Sequence, residues 1–284
     1  MKIKRHLKPI FIIALTAFWG TIYNQIDITM LGFYSNDSVI GYYANAHKII
    51  LLAVSCCIAV TTVFMPRLSF YYENDREALS DLINFGVKLL FFIVLPASIG
   101  LWLISSDLVV VLFGESFEPA GLTVALFSPM LLIRPLGDLL CYQLLISAGR
   151  EQKRFYTSLL ACIVNIALNI VLIPIWKQNG AAVASVIAEI IVNGLLFREV
   201  AKIVKINMDI KYYLKLILAS VTLMLILLAI SQMVDARLSR LILSILLGGC
   251  SYFLANFILK NDVVLIILNK LIKTNRKCVR GELK

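Results

Sequence analysis

Between Pro9 and Leu259 the sequence falls into eight apolar blocks, and nothing else in it constrains the fold as strongly. The blocks run roughly over 9–33, 39–65, 81–112, 119–148, 153–174, 180–202, 211–232 and 239–259. Each can cross about 30 Å of hydrocarbon as an α-helix at about 1.5 Å per residue. A backbone in lipid must satisfy its own hydrogen bonds, which leaves helices or a closed barrel. The period-2 alternation of a membrane barrel is absent, so the blocks read as helices. The expected fold is all-α: a polytopic transmembrane helix bundle of about eight spans. The 81–112 block is overlong and is expected to tilt, or to bend near Pro96 and Gly100.

The connections are short, with "SNDS" first and "MPRLSFYYENDREALSD" second, and none suggests a soluble domain. Three units are expected. Residues 1–203 form a six-helix lobe, 204–260 two additional helices, and 261–284 a basic tail. The tail's "KNDVVLIILNKLIKTNRK" reads either as an amphipathic helix on an anionic membrane surface or as a frayed end.

The chain is 60% hydrophobic, with a formal charge of +10 from 27 Lys and Arg against 17 Asp and Glu. In a soluble protein such an excess would suggest nucleic acid. Here its distribution gives another reading. Lys48, Lys88 and Arg134 lie in or near blocks, and one set of loops holds only Lys177, Arg237 and Arg240. The remaining 21 sit on the other side, in the N-terminal arm, the tail and the alternate loops. This is the positive-inside pattern, and it places both termini in the cytoplasm with no nucleic-acid partner. The six cysteines lack C-x-x-C spacing, so neither a disulfide framework nor a metal site is expected. The first block is too long for a signal peptide and lacks a small-residue cleavage site.

Polar residues inside the blocks are the candidate functional positions, because ionisable groups in a membrane need a partner, a wet cavity or a task. In "IYNQIDITML" Asn24 and Asp27 share a helical face with Thr16, Gly20 and Tyr23. The next block carries His47 and Lys48, and Lys48 can reach Asp27. That contact would be an ion pair pinning two helices, or the lining of a cavity that meets polar cargo. Arg134 and Asp138 stand four residues apart among Pro129, Pro135 and Gly137, with Gln143 beyond. They form a self-neutralising pair or mark a broken helix of the kind that builds transporter sites. Asn165 and Asn169 share a face and suit interhelical hydrogen bonds. Glu189 follows a run of small residues (Ala181, Ala182, Ala184, Ser185) and lies at a depth where it can pair with Arg134. Lys88 is expected to snorkel to the nearer surface.

No H-E-x-x-H, G-x-S-x-G or P-loop is present, and the charges are scattered at mid-depth. This favours a transport path over an enzyme and implies no cofactor.

Several stretches together carry a resemblance: "TIYNQIDITMLGFYSNDSVIGYYANAHKI", "MPRLSFYYEND", "LFGESFEPAG" and "LLISAGREQKRFYTSLLACIVNIALNIVLIPIWKQNGAAVASVIAEI". Their order and spacing resemble the oligosaccharide-repeat flippases of bacterial surface polysaccharide synthesis, the O-antigen and capsule (Wzx-type) group. These belong to the multidrug/oligosaccharidyl-lipid/polysaccharide exporter superfamily. The resemblance covers roughly residues 1–200, and the last two helices by pattern alone. It implies two six-helix lobes around a cavity plus two extra helices, of which this chain matches the second lobe and the extra pair. It further implies export of a polyprenyl-pyrophosphate-linked oligosaccharide repeat across the bacterial inner membrane. The implied partners are the lipid-linked substrate, membrane lipids, and a first-lobe polypeptide or polysaccharide polymerase. Asp27, Lys48, Arg134 and Glu189 are then cavity charges, and Asn24, Gln143, Asn165 and Asn169 bind hydroxyls. Three other readings stay open: a cation-coupled multidrug exporter, a membrane polymerase or transferase on lipid-linked sugars, and a non-transporting half-protein remnant.

Overall fold

The computed structural model describes residues 18–266, apart from Trp19, Tyr23, Asn24, Arg150 and Met208. Among the described residues it is helical, with no strand. Helix α1 is continuous over 25–34. It is followed by α2 (Asp37–Thr62), α3 (Met65–Asn74) and α4 (Arg76–Phe113). A 3₁₀ turn leads into a broken helix made of α5 (Ala120–Phe127), α6 (Met130–Gly137), a π-helical segment (Asp138–Gln143) and α7 (Leu144–Ser147). Then come α8 (Glu151–Val200), α9 (Ile210–Met233) and α10 (Arg237–Ile258).

Six of these stretches are long and apolar enough to cross a membrane. One of the six, within α8, is two antiparallel arms. Lys177 breaks the helix at φ 50° and ψ −128°. The arms lie so close that a Cβ on Gly180 would stand 2.2 Å from the Leu172 carbonyl oxygen. The expected "WKQNG" connection is therefore a tight reversal. Helix α4 runs as one 38-residue element through Pro96 and Gly100. The "MPRLSFYYENDREALSD" connection differs from expectation: it contains α3, with Pro66 in its first turn and Leu68 buried.

Helix starts follow local chemistry. The Asn36 side chain accepts the Val39 N–H, Asp75 accepts those of Glu77 and Ala78, and Asp209 accepts that of Tyr212. Each satisfies amides that the first turn leaves unpaired.

The core has three parts. Leu31, Tyr43, Ile50, Val124, Phe127 and Ile173 fill one half of the α1–α8 bundle. Leu68, Ile83, Leu90, Leu139, Leu144 and Val200 fill the other half. The third part joins α9 and α10 (Tyr212, Leu216, Leu223, Leu227, Tyr252) to the α4 residues Phe92, Leu95 and Ile99. Ala181, Ala182, Ala184 and Ala188 are fully buried, so the second arm of α8 sits deep among its neighbours. Outward faces carry Leu52, Trp102, Trp176, Leu218 and Leu246, as a lipid-facing surface requires.

Charges clamp the last two helices to α4 at both ends. Lys88 meets Asp209 at 3.0 Å and Asp262 at 3.6 Å, and its ammonium lies 4.9 Å from the Tyr212 ring centre. It is a bridging residue and does not simply snorkel. At the opposite end Arg240 meets Asp107 at 3.2 Å, and Arg237 meets Glu118 at 3.1 Å. Asn261 caps the helical turn that begins the tail, with Val263 and Val264 buried. The rest of the tail, including its basic residues, lies outside the described residues.

Candidate functional site

Asp27 is only 4% exposed, and three donors hold it. Tyr43 Oη, Asn169 Nδ2 and Ser185 Oγ each lie 2.5 Å from its carboxylate oxygens. They come from α2 and from both arms of α8, so one carboxylate ties three elements to α1. Asn169 also donates to Asn165 Oδ1 at 3.1 Å, and Asn165 to Ser185 Oγ at 3.2 Å. Burying a lone carboxylate costs several kcal/mol, which charge-assisted hydrogen bonds of this kind offset. Asn169 Oδ1 is buried with no hydrogen-bond partner among the described residues. Beside the network lies a pocket of ≈ 10 Å³ lined by Asp27, His47, Phe127, Arg134 and Ser185, room for about one water. Its oxygens suit a proton or a hard cation. Among the described residues there is no cluster of three or more His, Cys, Asp or Glu that would hold a metal ion.

Lys48 does not join this network. Tyr43 and His47 stack with ring centres 5.8 Å apart on the buried face of α2, and Lys48 is turned away into an exposed position. A residue five positions further along a helix lies about 140° around the axis, which separates Lys48 from Tyr43. The expected Asp27–Lys48 ion pair is thus replaced by Tyr43, Asn169 and Ser185. Asn24 lies outside the described residues.

The expected pairing of Arg134 with Glu189 is present. Arg134 Nε donates to Glu189 Oε1 at 2.8 Å, and Asn193 Nδ2 donates to Glu189 Oε2 at 3.0 Å. Asp138 turns to other partners: its Oδ2 accepts from Thr61 and Gln143, each at 2.7 Å. Gln143 also donates to Thr61 Oγ1 at 2.9 Å, and its Oε1 is buried without a partner among the described residues. Asp138 and Gln143 belong to the π-helical segment, and Thr61 to the end of α2. The segment follows Pro135, whose missing N–H interrupts the ladder, and such segments recur at functional sites.

A cavity of ≈ 330 Å³ opens beside them, lined by Ser55, Arg134, Asp138, Tyr142, Thr157, Ser158, Glu189 and Asn193 among others. Gly137 leaves room for the Asn193 amide there, since a Cβ would fall 2.0 Å from Asn193 Oδ1 and force that side chain to move. The structure therefore puts Asp27, Asn165 and Asn169 in one network, with His47 on the small pocket beside it. It puts Arg134, Asp138 and Glu189 on one cavity, with Arg134 touching both the pocket and the cavity. Asn165, Asn169 and Gln143 are spent on buried hydrogen bonds. Tyr43, Thr61 and Asn193 escaped the sequence reading. Tyr43 and Asn193 had a signal, each lying four residues from a candidate (His47 and Glu189) on the same helical face.

A family model described as lipid II flippase MurJ matches residues 2–247. Curated relatives include a "Probable flippase AglR" of Haloferax volcanii, 24% identical over 189 residues, covering 64% of this chain and 39% of that protein. A "Probable lipid II flippase MurJ" of Rhizobium tropici is 32% identical over 142 residues, covering 46% of this chain and 26% of that protein. A solved structure, "Lipid II flippase MurJ, inward closed conformation", aligns with a TM-score of 0.78 at 22% identity. It covers 92% of this chain and 56% of the solved one. The chain thus spans between a quarter and two-fifths of these curated relatives, and just over half of the solved chain. The matched proteins are named as flippases, which are transporters rather than enzymes, and the O-antigen and capsule type is not among these names. The multi-pass helical architecture agrees with the match, and the chain belongs to the lipid II flippase MurJ family.

Proposed function

We propose that this chain is the second-lobe part of a flippase. Its cargo is a polyprenyl-pyrophosphate-linked glycan, carried from the cytoplasmic to the outer leaflet of a bacterial inner membrane. The observation that carries the reading is a charged cavity inside an otherwise apolar bundle. The Arg134–Glu189 pair and Asp138 line ≈ 330 Å³ of space midway along helices whose outer faces are hydrocarbon-like. Polar cargo needs such an interior to leave water. Relatives named for lipid II and for glycan biosynthesis support the cargo class. An oligosaccharide repeat of surface polysaccharide, O-antigen or capsule, remains the finer reading.

Lys48 is exposed and, among the described residues, has neither hydrogen bond nor ion pair, so its ammonium is available to a phosphate. Asp27, beside His47 and Arg134, is the group that exchanges a proton or cation during the cycle. The asymmetry of Lys and Arg supports cytoplasmic termini. A first lobe, on this or another polypeptide, supplies the opposite wall of the transport path.

A clean deletion in the source organism tests the reading, followed by assay of surface polymer and of lipid-linked repeats. Loss of polymer with intact single repeats accumulating on the inner leaflet is expected. Unchanged polymer and unchanged lipid-linked pools would overturn it.

A further inference from the structure

The cavity beside the π-helical segment has a charge balance that decides what it accepts. Its charged groups, among the described residues, are one guanidinium and two carboxylates. The guanidinium of Arg134 is already paired with Glu189 at 2.8 Å. A pyrophosphate entering here would meet a wall with excess negative charge and would lose its hydration without a compensating cation. Neutral polyhydroxylated groups face no such penalty. For them the wall offers acceptor oxygens on Glu189, Asp138 and Asn193, together with the hydroxyls of Ser158 and of Thr157, the latter donating its own proton to the Lys153 carbonyl at 3.0 Å. The ≈ 330 Å³ volume lies within the range of small-molecule sites.

We infer that this intralobe cavity takes a neutral sugar ring of the lipid-linked glycan and that the phosphates stay outside it. The inference rests on the flippase reading and refines it, for it separates two tasks that the sequence assigned jointly to Arg134 and Lys48. Lys48, exposed on the same side of α2 as Leu51 and Ser55 but about two turns before Ser55 and outside the lining, keeps the phosphate. Arg134 serves by holding Glu189 in place, with its acceptor oxygens oriented between Arg134 Nε and Asn193 Nδ2. Gly137 gives the site its shape: without a side chain there, the Asn193 amide can approach α6.

The test is saturation-transfer NMR on the full chain in lipid nanodiscs. The probes are free N-acetylglucosamine, galactose and rhamnose, with geranyl pyrophosphate as competitor. At least one sugar is expected to show transfer that geranyl pyrophosphate does not displace. Ser158→Phe, which fills the cavity, should abolish that signal, and Thr157→Val, which removes one hydroxyl, should weaken it by ~5-fold, the effect of one lost hydrogen bond. Thr157→Val keeps the test readable should Ser158→Phe not fold. Absence of any sugar signal, a signal insensitive to both variants, or displacement by geranyl pyrophosphate would each overturn the assignment. The deletion phenotype is read in cells and is independent of this outcome. Altered lipid-linked pools without sugar binding would remove the cavity's role and leave the flippase reading intact.

Discussion

Arg134 on α6 and Glu189 on the second arm of α8 meet at 2.8 Å across the bundle, though 55 positions separate them in sequence. Their side chains are 17% and 16% exposed, so the pair is largely withdrawn from water, and Asn193 Nδ2 also donates to Glu189 at 3.0 Å. Arg134→Ala or Glu189→Ala alone should cost about 3 kcal/mol by breaking the pair, whereas Arg134→Met with Glu189→Leu should recover most of that loss. Thermal unfolding of the three purified variants checks this. A double variant as unstable as the singles would mean that the pair itself holds the helices.

Asp27→Asn keeps the size of the side chain and removes its charge. Its three donors lose a charged acceptor, with a stability loss of about 2 kcal/mol. Export is expected to fall to background while protein level holds, measured by complementing the deletion strain. Full complementation would return Asp27 to a purely structural role.

Gly180 tolerates no side chain. A Cβ there would lie 2.2 Å from the Leu172 carbonyl oxygen and 2.5 Å from its carbon, and backbone has no easy way to yield. Gly180→Ala should cost about 3 kcal/mol, at the upper end of overpacking. Gly194→Ala, with open space around it, should gain about 0.5 kcal/mol through the unfolded state. Paired melting curves test the contrast.

Asp209 sits at the start of α9, outside the spans. The hydrogen bond from Lys88 comes first among the causes that hold its carboxyl below the ordinary value of 3.8, and the Tyr212 amide adds to it. A depressed carboxylate contributes stability that is fully present above its unfolded value and is lost as pH falls through its folded one. Asp209→Asn should therefore destabilise at neutral pH, by less than ~1 kcal/mol because the site is well exposed, and should match the parent at the acid end. Melting temperatures on either side of pH 3.8 read this out.

The spans were legible because long apolar blocks report burial in lipid without any knowledge of neighbours. The depth of Arg134 and Glu189 was legible for the same reason, since depth is a count along a helix. Azimuth was not. Whether Asp27 would meet Lys48 or Tyr43 depends on how α2 is rotated, and Phe127 and Ser185, from elements far along the chain, set that rotation. Asn169 reaches Asp27 across 142 positions, a contact that local periodicity does not encode. Helix α3 was hidden for another reason. Its "MPRLSFYYEN" is short and mixed, and buries Leu68 alone, so it resembles a loop until it is seen lying across the bundle.

The clamps at both ends of α4 have a mechanical consequence. Lys88 with Asp209, and Arg240 with Asp107, fasten α9 and α10 to α4 near opposite ends, and Tyr252 Oη donates to the Phe92 carbonyl between them. Three fixed points along one beam remove its freedom to pivot. The helix pair thus acts as an outrigger: it splints α4 across the stretch that Pro96 weakens, and it widens the footprint that resists tilting in the bilayer. Force applied to α9 or α10 by the surrounding lipid passes into α4 as into a single strut.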